Sequence, residues 1–231
     1  MDIQIPPIKP HRAPTIAEQV FGVLHEKILT LELAPGTEMS EVEISRQMQL
    51  SRQPVREAFS RQSQLGFLQI RPQRVTVVRQ ISQTKVLQAL YIRCALETEV
   101  IQSAIKTTDT AGLDQLSNLL SQQKGAVSAG NNVLFLQLDD AFHRTICEIS
   151  GARFVWKLIR EQKAHMDRVH YLVPSQGSEI ALGEHSEIFA SIESGNTTEA
   201  VQKARKHLSR IKVDVARIRQ NHEKYFTKEE D

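Results

Sequence analysis

Leu50-Ser51-Arg52-Gln53-Pro54-Val55-Arg56-Glu57-Ala58-Phe59 reads as the start of a helix with two unlike faces. Ser51 is a residue type that caps a helix N-terminus, and Val55, Ala58, Phe59 and then Leu65 fall on one side for burial. Arg52 and Arg56 are four apart and share another side, with Gln53 nearby. Upstream, Ile16, Val20, Val23, Leu24 and Ile28 predict an amphipathic helix ended by the Ala34-Pro35-Gly36 turn, and Val42, Ile44 and Met48 a short second one. Downstream, Phe67-Leu68-Gln69-Ile70 and Val75-Thr76-Val77-Val78 are short β-type runs flanking Pro72-Gln73-Arg74. Helix, helix, helix and hairpin is the order of a winged helix-turn-helix, expected over residues 14–80 behind a loose Pro-rich tail at 1–13.

Arginine and glutamine at the N-terminal end of such a third helix can reach base edges in a DNA major groove. Arg reads guanine and Gln reads adenine, each through two hydrogen bonds, while the helix N-terminus favours phosphate. Arg61, Arg71, Arg74 and Arg79 extend the cationic surface, and Glu57 is the only acid between Ser51 and Ile81. That local excess suits a polyanion, and Arg74 falls where a wing tip would approach the minor groove or a phosphate. The same residues also fit a solvated helix with Glu57 pairing Arg61, or a protein-binding winged domain.

The rest of the chain is different. Seven of eight prolines lie at or before Pro72, and only Pro174 follows. Apolar residues there recur at helical spacing, as in Leu134, Leu138, Phe142, Ile146 and Ile149, between punctuators such as Gly130, Gly151, Gly177 and Gly195. About six helices are expected from Ser82 to Tyr225, an all-α bundle, with a frayed end at Lys228–Asp231. A chain of 231 residues with 40% hydrophobic residues can build packed cores and excludes wholesale disorder. No run approaches the ~18–20 apolar residues of a membrane helix. The start MDIQIPPIKPHRAPT lacks a secretory h-region, and Cys94 and Cys147 form no disulfide framework, so a cytoplasmic protein is expected. The formal net charge of +2 is uninformative until it is divided along the chain.

Three of the eight histidines interrupt core stripes. His143 follows Asp139 by four on the Leu138/Phe142/Ile146 face, His185 shares a side with Ile188 and Ile192, and His207 lies between Ala204 and Ile211. A buried imidazole or carboxylate needs a hydrogen bond or a metal, and Asp139 with His143 can bind one ion from one helix. Taken alone, each histidine fits a satisfied core residue better than a ligand. His11 falls in the tail, and His25 and His222 in polar helical surroundings. Cys147 reads as core packing and Trp156 as a helix anchor.

Two resemblances sharpen these readings. Leu33-Ala34-Pro35-Gly36, the Ser51–Phe59 run and Leu65-Gly66-Phe67-Leu68 resemble the LxPG turn, the SRxPVREAL helix and the LxxxGLV segment of the GntR family of bacterial transcription regulators. The resemblance implies DNA contacts at Ser51, Arg52, Gln53 and Arg56, with Gln73 and Arg74 in the wing. Val75 stands where the family usually has Gly, and a β-branched residue disfavours positive φ.

Residues from about Lys85 to Arg217 resemble the FCD ligand-binding domain of the FadR subfamily, through Asp139-Asp140-Ala141-Phe142-His143, Glu184-His185-Ser186-Glu187-Ile188 and Ala200–His207. That resemblance implies a domain over 82–226 and a divalent metal on Asp139, His143, His185 and His207. Zn²⁺ suits this donor set, and Ni²⁺, Mn²⁺ and Fe²⁺ are compatible. It also implies a small carboxylate or sugar-acid effector near Arg93; Arg168, with Gln162 and His165 upstream, is a candidate second contact in the cavity, with a surface role as the alternative. Arg93 fits an i,i+4 pair with Glu97 equally well. The expected protein is mainly α, a homodimeric repressor on a pseudo-palindromic double-stranded operator, with no membrane partner. A constitutive DNA-binding protein with a structural metal, and a metal-dependent hydrolase, are the alternatives; the second lacks an evident general base.

Overall fold

The computed structural model describes residues 13–71, 75–173 and 176–228. Its Cα framework divides into two compact units between Gln80 and Ile81. In the first, Thr15 and Glu18 open helix α1 (Ile16–Leu29) by a reciprocal cap. The Thr15 hydroxyl accepts from the Glu18 N–H at 3.2 Å, and the Glu18 carboxylate accepts from the Thr15 N–H at 2.7 Å. Val20, Leu24 and Ile28 are buried, whereas Ile16 and Val23, expected beside them, are exposed. A short helix packed mainly on one neighbour covers only a narrow i, i+4 stripe. The helix ends before the Ala34-Pro35-Gly36 turn because Leu31 takes the left-handed conformation, φ 62°.

Strand β1 (Glu38–Met39), α2 (Glu41–Gln47), α3 (Arg52–Gln64), β2 (Leu68–Gln69) and β3 (Thr76–Val78) follow. The sheet order is β1-β3-β2, all antiparallel, with Glu38 opposite Val77 and Leu68 opposite Val78. Two residues are too few to show alternation, which is why β1 escaped the sequence reading. Gly36, at φ +89°, donates its N–H to Val78 O at 2.8 Å and ties the turn to the sheet. Val55, Ala58 and Phe59 of α3 are buried as expected, while Leu65 is only partly covered. Gln62, also buried, donates from Nε2 to Phe21 O and places Oε1 at 3.2 Å from His25 Nδ1. His25 therefore sits between α1 and α3, stacked on Phe21 and edge-on to Phe67, in a less polar setting than expected.

The second unit holds α4 (Gln83–Thr107), α5 (Thr110–Ser128), α6 (Asn132–Ile149), α7 (Arg153–His170), α8 (Gln176–Glu193), α9 (Thr197–Ser209), α10 (Ile211–Asn221) and a 3-10 turn at Glu223–Tyr225. Helix α4 is the spine, packing on α6, α7 and α9, while α5 packs on α6 and α8, and α8 on α9. Its buried stripe runs Val86, Leu90, Arg93, Glu97, Ile101 and Ala104, so an ion pair interrupts the apolar ridge midway. The expected six helices are seven among the described residues, because Arg210 alone separates α9 from α10 and itself stays helical, φ −57° and ψ −31°. No glycine or proline marks that break.

The segment after α10 pairs with the start of the second unit. Ile81 N–H donates to Tyr225 O at 2.7 Å and Thr227 N–H donates to Ile81 O at 3.0 Å. Phe226, 2% exposed, packs with Val86, Met166 and Val169. Among the described residues no helix is long and apolar enough to cross a membrane.

Candidate functional site

On the first unit, burial of Val55, Ala58 and Phe59 leaves Ser51, Arg52, Gln53 and Arg56 exposed at the N-terminal end of α3. Ser51 stands at the cap position in extended backbone, but its hydroxyl makes no cap bond. Gln53 donates to Glu57 at 2.9 Å, and Arg56 pairs with Glu41 at 3.3 Å. Arg61 lies over the Phe21 ring, 3.9 Å from its centroid, while Arg71 donates to Gln69. These contacts are solvent-exposed, so a phosphate or base edge can replace them at a cost of about 1 kcal/mol or less each. The wing residues Gln73 and Arg74 lie outside the described residues, and exposed Val75 follows them.

In the second unit Asp139 and His143 on α6, His185 on α8 and His207 on α9 bring one donor atom each within 4.8 Å of one another. His185 Nε2 lies 3.2 Å from His207 Nε2 and 3.4 Å from Asp139 Oδ1, with His143 Nε2 at 4.0 Å from the same oxygen. The opposite ring nitrogens are all held. His143 Nδ1 meets Glu97 Oε2 at 2.7 Å, His185 Nδ1 meets Gln123 Oε1 at 2.9 Å, and His207 Nδ1 meets Glu184 Oε2 at 2.9 Å. Gln123 donates from Nε2 to Leu138 O at 3.1 Å, which fixes its oxygen toward the imidazole. Carboxylate and amide oxygens only accept, so each Nδ1 donates and each neutral ring turns an Nε2 lone pair inward. Among the described residues His143 Nε2 is buried without a hydrogen-bond partner. Three converging lone pairs and a carboxylate oxygen, with no donor among them, are a donor set that could hold a cation.

The charge states agree with that geometry. Burial drives His185 well below its ordinary value and His207 down to about 3, with neighbouring imidazoles adding to the shift, so both are neutral near pH 7. Burial alone would raise the Asp139 carboxyl, but His143, Lys163, His185 and His207 outweigh it and hold it well below the carboxylate range. Phe142 stacks on His185 at 4.7 Å and limits water on that side.

A cavity of about 190 Å³ opens beside this cluster, lined by Arg93, Asp139, Met166, His170, His207 and Arg210 among others. Arg93 makes the i,i+4 pair with Glu97 and also lines the cavity. Its Nε donates to Glu97 Oε1 at 2.6 Å, while its buried Nη2 has no hydrogen-bond partner. Arg168 is fully buried but is not among the lining residues. Met166 and His170 of the same helix do line the cavity, and residue 168 projects about 200° away from each. Gln162 and His165 do not line it either, and Cys147 and Trp156 belong to the apolar core.

Comparison with known proteins agrees with both halves. Residues 16–78 match the family described as bacterial regulatory proteins, gntR family, and residues 88–210 match the FCD domain. The chain is 34% identical over 218 residues to the HTH-type transcriptional regulator YdfH of Escherichia coli O6:H1, covering 94% of this chain and 96% of that one. It is 33% identical over 231 residues to the HTH-type transcriptional repressor RspR of Escherichia coli K12, covering 99% of both. This chain belongs to the GntR family. It is a DNA-binding transcription regulator with an FCD domain, not an enzyme. A solved structure of E. coli McbR/YncC shares the fold, with a TM-score of 0.75 at 18% identity over 90% of this chain and 99% of that one.

Three residues of this GntR regulator escaped the sequence reading as partners of the histidines. Glu97 was visible only as a partner for Arg93, and Glu184 only as the residue before His185. Gln123, on α5, carries no local signal, because its role depends on α5 packing against α6 and α8.

Proposed function

We propose that this regulator is a homodimeric repressor whose operator affinity is set by a small acid bound beside a divalent ion. Ser51, Arg52, Gln53 and Arg56 read a half-site in the major groove, with Gln73 and Arg74 reaching from the wing. Two linked readers on a two-fold axis require a pseudo-palindromic operator. Asp139, His143, His185 and His207 hold the ion, and Zn²⁺ fits three imidazoles and one carboxylate best, with Ni²⁺, Mn²⁺ or Fe²⁺ accommodated by the same donors. When bound, the ion supplies a Lewis-acidic anchor for a carboxylate or sugar-acid effector. Arg93 receives the acid with the free edge of its guanidinium. Arg210, rather than Arg168, is the second cationic residue on the cavity wall.

The observation that carries this reading is the inward convergence of three Nε2 atoms whose Nδ1 partners are all acceptors. An effector regulates only if it binds the DNA-competent and incompetent states unequally. The test has two steps. Metal content and calorimetry against a panel of di- and hydroxy-acids, with and without chelator, identify the ion and a binding acid. Operator affinity, after selection of bound DNA from a random pool, is then measured with and without that acid. No metal in the untreated protein, or equal operator affinities for every tight-binding acid, would overturn the switch.

A further inference from the structure

Lys163, on α7, is a cation that neither the DNA-reading face nor the histidine cluster accounts for. It is 3% exposed, with Nζ 2.5 Å from Asp167 Oδ1, 2.8 Å from Asp140 Oδ1 and 3.8 Å from Asp139 Oδ2. Burial would strip its proton, but Asp140, Asp167 and Asp139 outweigh that and hold the ammonium above the usual lysine range. A buried ion pair is weak support for stability, since apolar residues of similar volume often serve as well. The position of Asp139 is more telling. Its Oδ1 faces His185 and His143, and its Oδ2 faces Lys163. The two anchors of the ammonium come from two helices, Asp140 beside Asp139 on α6 and Asp167 one turn beyond Lys163 on α7.

We infer that Lys163 is a positioning residue of the metal centre, a tethered cation that claims one oxygen of Asp139 so that only the other is offered to the ion. The inference rests on the metal reading above. Asp167 takes the hydrogen bond from Nζ and Asp140 stands in ion-pair contact with it, both independently of Asp139, so the ammonium is a post beside which the ligand carboxylate lies. Removing it takes away the cation that faces Asp139 Oδ2 and leaves that oxygen free to turn toward the ion.

Zn²⁺ affinity of the full chain, measured by competition with a chromophoric chelator, tests this in wild type, Lys163→Met, Asp140→Asn, Asp139→Asn and the Lys163→Met/Asp139→Asn double variant. Lys163→Met is expected to weaken Zn²⁺ by about 10–100-fold, as loss of an outer partner of a metal ligand does. Asp140→Asn, at a carboxylate 38% exposed and easily replaced, is expected to fall between wild type and Lys163→Met. In the Asp139→Asn background, Lys163→Met is expected to change affinity by about twofold or less, the additivity limit for a residue acting through a partner already removed. A merely structural role would weaken binding equally in both backgrounds, and that result overturns the inference. So do wild-type affinities in both Lys163→Met and Asp140→Asn; if Lys163→Met fails to fold, Asp140→Asn decides. A wild-type chain that binds no Zn²⁺ instead overturns the metal centre itself, and this inference with it.

Discussion

Glu97→Gln perturbs the histidine cluster without touching any of its four inward atoms. Glu97 accepts on both oxygens, at 2.6 Å from Arg93 Nε and at 2.7 Å from His143 Nδ1, and is buried with both partners. An amide has one acceptor and one NH₂ group, so it must offer a donor to one of two donors. If the NH₂ faces His143, the imidazole has to accept at Nδ1 and carry its proton at Nε2, inside the cluster, which removes a lone pair from the ion. The expected loss is about 10–100-fold in Zn²⁺ affinity, or about 1.4–2.7 kcal/mol. If the NH₂ faces Arg93, the buried guanidinium loses its counterion, which costs up to about 3–5 kcal/mol. In a chain of this size that lowers the melting temperature of chelator-treated protein by about 6–20 °C. Chelator competition and thermal melting read the two outcomes separately. A variant that binds Zn²⁺ as wild type does and melts unchanged without metal refutes the reasoning, because neither hydrogen bond would then be made.

Arg52→Ala and Arg56→Ala are each expected to cost about 1–3 kcal/mol of operator binding and to relax selectivity at one base position; unchanged selection from a random DNA pool would place the reading face elsewhere. Phe226→Ala removes a fully buried ring between Ile81 and α4, with an expected cost of about 3–5 kcal/mol in denaturant unfolding of the second unit, and a cost below 1 kcal/mol would mean that the chain end is not docked in solution. The metal-free protein should lose stability on acidification. His207 is neutral when folded down to about pH 3 but titrates at 6.5 when unfolded, so the unfolded chain binds more protons between these values. Stability is then full above pH 6.5 and falls toward pH 3, by at most about 1.4 kcal/mol per pH unit for each such histidine. Urea unfolding of chelator-treated protein at pH 7.5 and pH 5 checks the sign, and equal stabilities would contradict it.

What the sequence disclosed follows the range of the interactions. The α3 faces were readable because Val55, Ala58 and Phe59 sit within two turns of one another and burial of one side exposes Arg52, Gln53 and Arg56. Asp139 and His143 were readable as a pair for the same reason. Their meeting with His185 and His207 was not, since spacing within a helix says nothing about which helices converge, and there the family resemblance supplied the pairing. Boundaries failed where no special residue marks them. Arg210 breaks α9 from α10 within helical backbone, and β1 is two residues held by partners almost forty positions away. The docking of Phe226 was not readable, because its contacts, with Ile81, Val86 and Met166, are all distant in sequence.

The arrangement of the outer partners bears on how an acid and an ion would influence one another. His143 is held by Glu97 on α4, His185 by Gln123 on α5, and His207 by Glu184 on α8, so the proposed ion would bear on five helices through one point. Without a cation, three lone pairs and a carboxylate face one another, and movement of α8 and α9 away from α6 would relieve that repulsion. An ion at 100 times its Kd opposes that movement with about 2.7 kcal/mol. Arg93 adds the second ligand to the same account. Its Nε holds Glu97, its Nη2 has no hydrogen-bond partner among the described residues, and Glu97 holds His143, so one carboxylate links Arg93 to His143, while Asp139 and His207 line the cavity themselves. An acid that draws on Arg93 is therefore expected to shift the hydrogen bond Glu97 makes to His143, and with it the affinity of the proposed site for Zn²⁺. Linkage requires the converse, with Zn²⁺ changing the affinity for the acid by the same factor. An acid that binds in the cavity with equal affinity in the presence and absence of the ion would show that Arg93 and the histidines act as separate sites, however close they lie.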